Sequence, residues 1–233
     1  MEKIVTLLWR SDGQPPQDYA DGLREKSMPR LEELGAEKLK LCVEDDAVAA
    51  GAGIRMNPVG PPKAAFVSYW IELAQDRGPL EALLAEASAG LMSFLVVESQ
   101  PIVNTKHVVA RGERTPGFSQ VTCVLAKQSI SYQEFLQIWH EEQRPCAIET
   151  QSTFQYVRNE IVRCLTGDPP PWSAIVEEGF PIGALDDPRV FYDAVGDEEK
   201  FQANLKRMMD TVERFLEMPA TDVTAMSEYV YAR

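Results

Sequence analysis

Histidine is scarce in this chain: two in 233 residues, His107 and His140. With two histidines so far apart, a histidine-built metal site has little material to work with. The four cysteines, Cys42, Cys123, Cys146 and Cys164, share no C-x-x-C or similar spacing. That spacing excludes a zinc-binding pattern and points to buried free thiols in a reducing compartment. No stretch approaches the ~20 apolar residues that span a bilayer. The apolar run at Ile4 to Trp9 is too short for a signal-peptide core, and no cleavage site follows it, so a cytoplasmic protein is expected. Positive charge is also short, with 23 Lys and Arg against 36 Asp and Glu, a net charge of −13. This balance argues against nucleic acid and against an anionic membrane surface as partners. The patterns G-x-G-x-x-G, G-K-[ST], G-x-S-x-G and H-E-x-x-H are missing too, leaving nucleotide, hydrolase and zinc-peptidase readings without support.

What is present is an ordinary globular composition, 45% hydrophobic and 25% charged, with enough apolar material for a sizeable core. It is arranged twice. The stretch "LREKSMP" at Leu23 to Pro29 shares its skeleton with "WHEEQRP" at Trp139 to Pro145, 116 positions later. At the same offset Val5-Thr6 falls on Val121-Thr122, Tyr19 on Phe135, and Ser27 on Gln143. The elements repeat in order as well. "KIVTLLW" reads as a strand, and a Pro-opened helix carries Tyr19, Leu23, Met28 and Leu31 on one stripe. "EKLKLCVED" reads as a strand, Asp46 to Pro62 as a loop, "AAFVSYWIEL" as a strand, "GPLEALLAEAS" as a helix and "LMSFLVVE" as a strand. The second run has "FSQVTCVLA", a helix opened by the capping box Ser131 and Glu134, "TFQYVRNEIV", "SAIVEEGF", a long helix capped by Asp197, and "DVTAMSEYVYA". Each run is β-α-β-β-α-β, the ferredoxin-like order. The fold class is therefore α+β: two tandem ferredoxin-like units packed sheet to sheet. The expected division is 1–104, a linker at 105–117, and 118–233.

Tandem units of this kind packed sheet to sheet form the dimeric α/β barrel superfamily, here within one chain. The helix "YQEFLQIWHEEQRP", with "YVRNEIV", "AIVEEGF" and the helix from Asp197, resembles the EthD-domain family. Trp139, Gln143 and Pro145 occupy that family's helix motif. The motif's histidine is Gln143 here and Ser27 in the first run, and neither side chain titrates. The resemblance implies a small-molecule site between helices and sheet. It implies a cofactor-independent enzyme acting on a small, largely apolar ring compound by proton transfer, of cyclase, dehydratase or isomerase type. A non-catalytic binding or structural protein is the alternative, and a haem-binding or oxygenase relative is a third reading. No metal or cofactor is expected; a small hydrophobic or aromatic ligand is, and a homodimer is compatible.

The candidate residues follow from helix and strand geometry. His140, with a free pKa suited to neutral pH, is a candidate acid or base. Glu177 and Glu178 point to opposite faces of their strand, so one faces inward. Glu177, which matches the family's acidic position, is the expected proton carrier; Ser68 takes that place in the first run. The plain structural alternative for Glu177 is an ion pair with Arg158 or Arg163. Gln143 and Tyr156 are expected to hold a ligand oxygen. Trp139 and Trp70 are expected to wall the ring. Asn159, on the face opposite Tyr156, and Ser27 complete the expected binding set.

Overall fold

The structure is a computed structural model and describes residues 1–58 and 60–231. Val59 in the expected loop and Ala232 at the end of the expected last strand lie outside the described residues. The first run is β1 (Glu2–Trp9), α1 (Pro16–Gly22), a π turn (Leu23–Ser27), α2 (Met28–Glu33), β2 (Glu37–Val43), β3 (Ala65–Ile71), α3 (Gly78–Ala87) and β4 (Gly90–Ile102). The second is β5 (Phe118–Val124), α4 (Tyr132–Gln137), a π turn (Ile138–Gln143), α5 (Arg144–Thr150), β6 (Gln155–Cys164) and β7 (Ala174–Phe180). It ends with α6 (Pro188–Phe191), α7 (Glu198–Phe215) and β8 (Asp222–Val230).

The strands run β4-β1-β3-β2 and β8-β5-β7-β6. β2 pairs with β8 and β4 with β6, so the two antiparallel sheets close into one eight-stranded barrel. Both sheets have the ferredoxin-like order, and the whole is the dimeric α/β barrel arrangement in a single chain. Closure removes the exposed strand edges on which another chain could pair.

Because side chains alternate along a strand, each sheet serves two cores. Val5, Leu7, Phe66, Phe94, Val121, Cys123, Ile175 and Met226 fill the barrel interior. Ile4, Leu8, Leu41, Val67 and Tyr69 face outward and pack under the first run's helices with Tyr19, Leu23 and Met28. Val124, Tyr156 and Val176 pack under the second run's helices with Phe135, Trp139, Met208, Val212 and Phe215. Burying one such large side chain is worth about 1.5–3 kcal/mol, so the three cores dominate stability.

The shared proline skeleton has a structural consequence. The Met28 N–H donates to the Leu23 carbonyl and the Arg144 N–H to the Trp139 carbonyl, each five residues back. Each wide bond lies one residue before a proline, Pro29 or Pro145. A mid-helix proline has no N–H and crowds the carbonyl four residues earlier. A π turn relieves that crowding by taking in an extra residue. Ser131 caps the second helix as expected, its hydroxyl accepting from the Glu134 N–H at 3.1 Å.

The segment read as a loop from Asp46 departs from expectation. Asp46–Ile54 forms a 3-10 helix, opened by the Asp45 side chain, which accepts from the Ala47 N–H at 3.1 Å. It then crosses to the second sheet. Met56 and Val223 exchange backbone hydrogen bonds of 3.0 and 2.6 Å, and Arg55 is ion-paired with Glu44.

Candidate functional site

A cavity of about 280 Å³ lies between the second run's sheet and helices. Gln120 and Thr122 of β5, Tyr156 of β6 and Val176 and Glu178 of β7 form its floor. The π turn supplies Trp139 and Gln143, and α7 supplies Met208, Val212 and Phe215. Phe191 and Tyr192 close one side. Ile54 and Met56, from the crossing segment of the first run, close another.

The strand register fixes which carboxylate enters. Gln120 pairs with Glu178, and Glu178 with Tyr156, so these three side chains share the helix-facing side. Val121, Glu177 and Val157 form the next rank and face the barrel interior. Burial pushes the Glu178 carboxyl up to about 7 from its ordinary 4.5. It makes no hydrogen bond or ion pair among the described residues, and no Lys, Arg or His lines the cavity. A carboxyl held near neutrality is suited to accepting and returning a proton.

Around it, polar atoms are partly committed. The Trp139 Nε1–H donates to the Tyr156 hydroxyl at 3.1 Å. Burial holds that phenol above its ordinary value, so it stays protonated. The Gln143 amide donates to the Met208 sulfur at 3.1 Å, while its Oε1 is buried without a partner. Thr122 Oγ1 and Gln151 Oε1 are likewise buried and unpartnered.

Of the residues expected at the site, Trp139, Gln143 and Tyr156 meet around this cavity. The others do not. Glu177 lies in the barrel interior, ion-paired with Lys40 and 3.7 Å from Lys3. Burial alone would raise its pKa, but Lys40 and Lys3 outweigh it and hold the carboxyl below its ordinary range. Its partners are therefore lysines, where an arginine of β6 was expected. Asn159 belongs to the same interior network, donating to Glu177 at 2.9 Å and accepting from Lys3 at 2.7 Å. Trp70 sits at the barrel mouth beneath the ammonium of Lys38, 5.0 Å from its ring. His107 lines the same mouth. Ser27 lines a groove between α1 and α3 that no sheet residue reaches. His140 is half-buried beside Trp139, outside the cavity, and burial together with Arg158 lowers its pKa. It does not line the cavity with Glu178.

Strand alternation offered both Glu177 and Glu178, and Glu178 is the one that lines this cavity. Both faces of β7 carry buried residues, with Glu178 itself partly buried, so alternation alone could not say which carboxylate looks at the helices. The available signal was the pairing with Tyr156, which requires the register. In the first sheet Tyr69 faces Ile4 as Glu178 faces Gln120. Tyr69 is fully buried within the first run's outer core.

The donor set also bears on metals and haem. Cys42, Glu177 and Glu228 place ligand atoms within 4.8 Å of one another in the barrel. Lys40 already pairs with both carboxylates, so an ammonium takes the place a cation would need. The cavity near Glu178 has neither histidine nor cysteine in its lining, and its sulfur atoms are thioethers. Histidine- or thiolate-ligated haem does not fit these residues.

No protein-family model matches the chain, and no curated protein matches it. Solved structures do. An anthrone oxidase-like protein is 10% identical over 98% of this chain and 90% of its own, with a TM-score of 0.50. A mutant chlorite dismutase from Candidatus Nitrospira defluvii is 9% identical over 97% and 90%, with a TM-score of 0.49. A dye-decolorizing peroxidase from Bacteroides thetaiotaomicron is 8% identical over 99% and 93%, with a TM-score of 0.46. At such identities the likeness concerns the fold alone: these are members of the dimeric α/β barrel superfamily.

Proposed function

We propose that this chain is a cofactor-independent enzyme acting on a small, largely apolar ring compound by proton transfer, of cyclase, dehydratase or isomerase type. The observation that supports it is Glu178: one unpaired, partly buried carboxyl, pushed up to about 7, in the lining of a largely apolar cavity. Glu178 takes a proton from the ligand and returns it elsewhere. The Tyr156 hydroxyl and the Gln143 amide place a ligand oxygen, and Trp139 bounds the ring. Placement in the EthD family, and division into units 1–104 and 118–233, belong to the same proposal. They are supported by the Trp139-Gln143-Pro145 motif on its π turn and by the two sheets of identical strand order.

The test is solvent exchange. The protein is held in D₂O with a panel of cyclic ketones, with and without amino substituents, and deuterium uptake is followed by mass spectrometry. Exchange should rise with pH and level off above about 7, as Glu178 ionises. Glu178→Gln should slow it about 100-fold or more, within the range for one acid–base group. No protein-dependent exchange with any ketone would refute the reading.

One observation favours a non-catalytic binding protein. Trp139 and Tyr156 satisfy each other, and Gln143 is engaged by Met208, so two of the placing groups are held in internal bonds. Tight binding without exchange would identify that case.

A further inference from the structure

Four of the five buried carboxylates among the described residues have cations beside them. Glu177 has Lys40, Asp222 has Lys63, Glu44 has Arg55, and Glu228 has Lys40 at 3.7 Å. Asp45 lacks a cation but is satisfied by the hydroxyls of Ser227 and Tyr229, at 2.7 and 2.8 Å. Glu178 has neither kind of partner among the described residues. Glu178 is partly buried in an apolar lining, where an unpaired charge is unfavourable until something pairs or neutralises it. The partner for this one is missing from the chain, and the group opens onto a cavity.

Two other unsatisfied atoms around that cavity are acceptors, and a third can act either way. Gln143 and Gln151 each present an unpartnered carbonyl oxygen, and Thr122 an unpartnered hydroxyl. Amide oxygens only accept, and a carboxylate only accepts. A ligand that satisfies them must bring N–H or O–H donors, more than one, on a body that suits an apolar lining. A carboxylate or phosphate ligand would meet the Glu178 carboxylate with no cation in the lining to offset it.

We propose that the cavity binds a small apolar amine in its ammonium form, with the Glu178 carboxylate as its counter-ion. This names a substrate class for the proposed reaction and rests on the reading that the cavity is the substrate site. The ammonium donates to Glu178 and to an amide oxygen, and the hydrocarbon part fills the space between α7 and the sheet. An amine of about ten heavy atoms is compatible with the 280 Å³ available.

Calorimetric titration of the whole protein at pH 7.5 tests this with three probes of similar shape: 2-phenylethylamine, 2-phenylethanol and 3-phenylpropanoate. The amine should bind at least ten-fold more tightly than the alcohol, and the carboxylate most weakly. In Glu178→Gln the amine's advantage should vanish while the alcohol still binds. Equal affinity of amine and alcohol, or a preference for the carboxylate, would overturn the amine assignment alone and leave the proton-transfer reading standing. If none of the three bound, the cavity would not be a ligand site, and both readings would fall. The wild-type preference decides the question even where the variant does not fold.

Discussion

Replacing Glu178 with Gln should stabilise the ligand-free protein above pH 7 and leave it nearly unchanged at pH 4. Its folded-state pKa, about 7, is above the ordinary 4.5 because burial disfavours the charge. Below pH 4.5 the carboxyl is protonated in both states and contributes no pH-dependent difference. Between 4.5 and 7 the folded protein holds a proton that the unfolded chain has released, so rising pH favours unfolding. Above 7 the full penalty is present. Two and a half pH units at about 1.4 kcal/mol each give about 3 kcal/mol. Neutral Gln has the same shape and escapes that penalty. Urea denaturation of both proteins at pH 4, 6 and 8 measures the difference directly, because every other titrating group is shared. Thermal scans should show the variant melting roughly 6–12 °C higher at pH 8, at about 2–4 °C per kcal/mol for a chain of this size. A difference that does not change with pH, or a variant less stable at pH 8, would refute the assignment of Glu178 as a desolvated, unpaired acid.

Lys40→Met should lower stability by about 3 kcal/mol in urea denaturation, because it removes the nearer of the two lysines paired with Glu177 inside the barrel and leaves Lys3 at 3.7 Å. Adding Glu177→Gln to that variant should recover most of the loss. Gly117→Ala should prevent accumulation of folded protein, judged by circular dichroism of the soluble fraction: Gly117 has φ +96°, and an added Cβ would lie 2.2 Å from the Phe180 carbonyl oxygen. Trp139→Phe should lower stability by about 1 kcal/mol or more in the same denaturation assay, since it removes the donor to the buried Tyr156 hydroxyl.

The architecture was legible because both runs write their elements with the expected periods and punctuation. The strand "KIVTLLW" and the helix capped by Asp197 each appear within a residue or so of their expected bounds. Trp139, Gln143 and Tyr156 were legible as a group, the first two by helical spacing and the third by alternation. What escaped had no local signal. Whether Glu177 or Glu178 faces the helices depends on which strand lies beside β7 and in what register. That β1 and β2 would send Lys3 and Lys40 to Glu177 depends on the barrel closing. The 3-10 helix at Asp46–Ile54, in a stretch rich in Ala and Gly, takes its shape from seating on the second sheet, where Gly51 meets Ala225. Which acid lines this cavity therefore depended on tertiary structure, although Trp139, Gln143 and Tyr156 could be grouped from the sequence.

The barrel's internal charges are unevenly shared. Lys3 and Lys40 come from the first sheet, and Glu177 and Glu228 from the second. Two copies of the first sheet facing each other would confront four ammonium groups with only the two Glu98 carboxylates to answer them. Two copies of the second would confront carboxylates with no lysine at all from these positions. Each sheet is thus a poor partner for itself and a good one for the other. Expressed as separate pieces, they should recognise one another and reject their own kind, which makes the repeat a lock-and-key pair whose two members have ceased to be interchangeable.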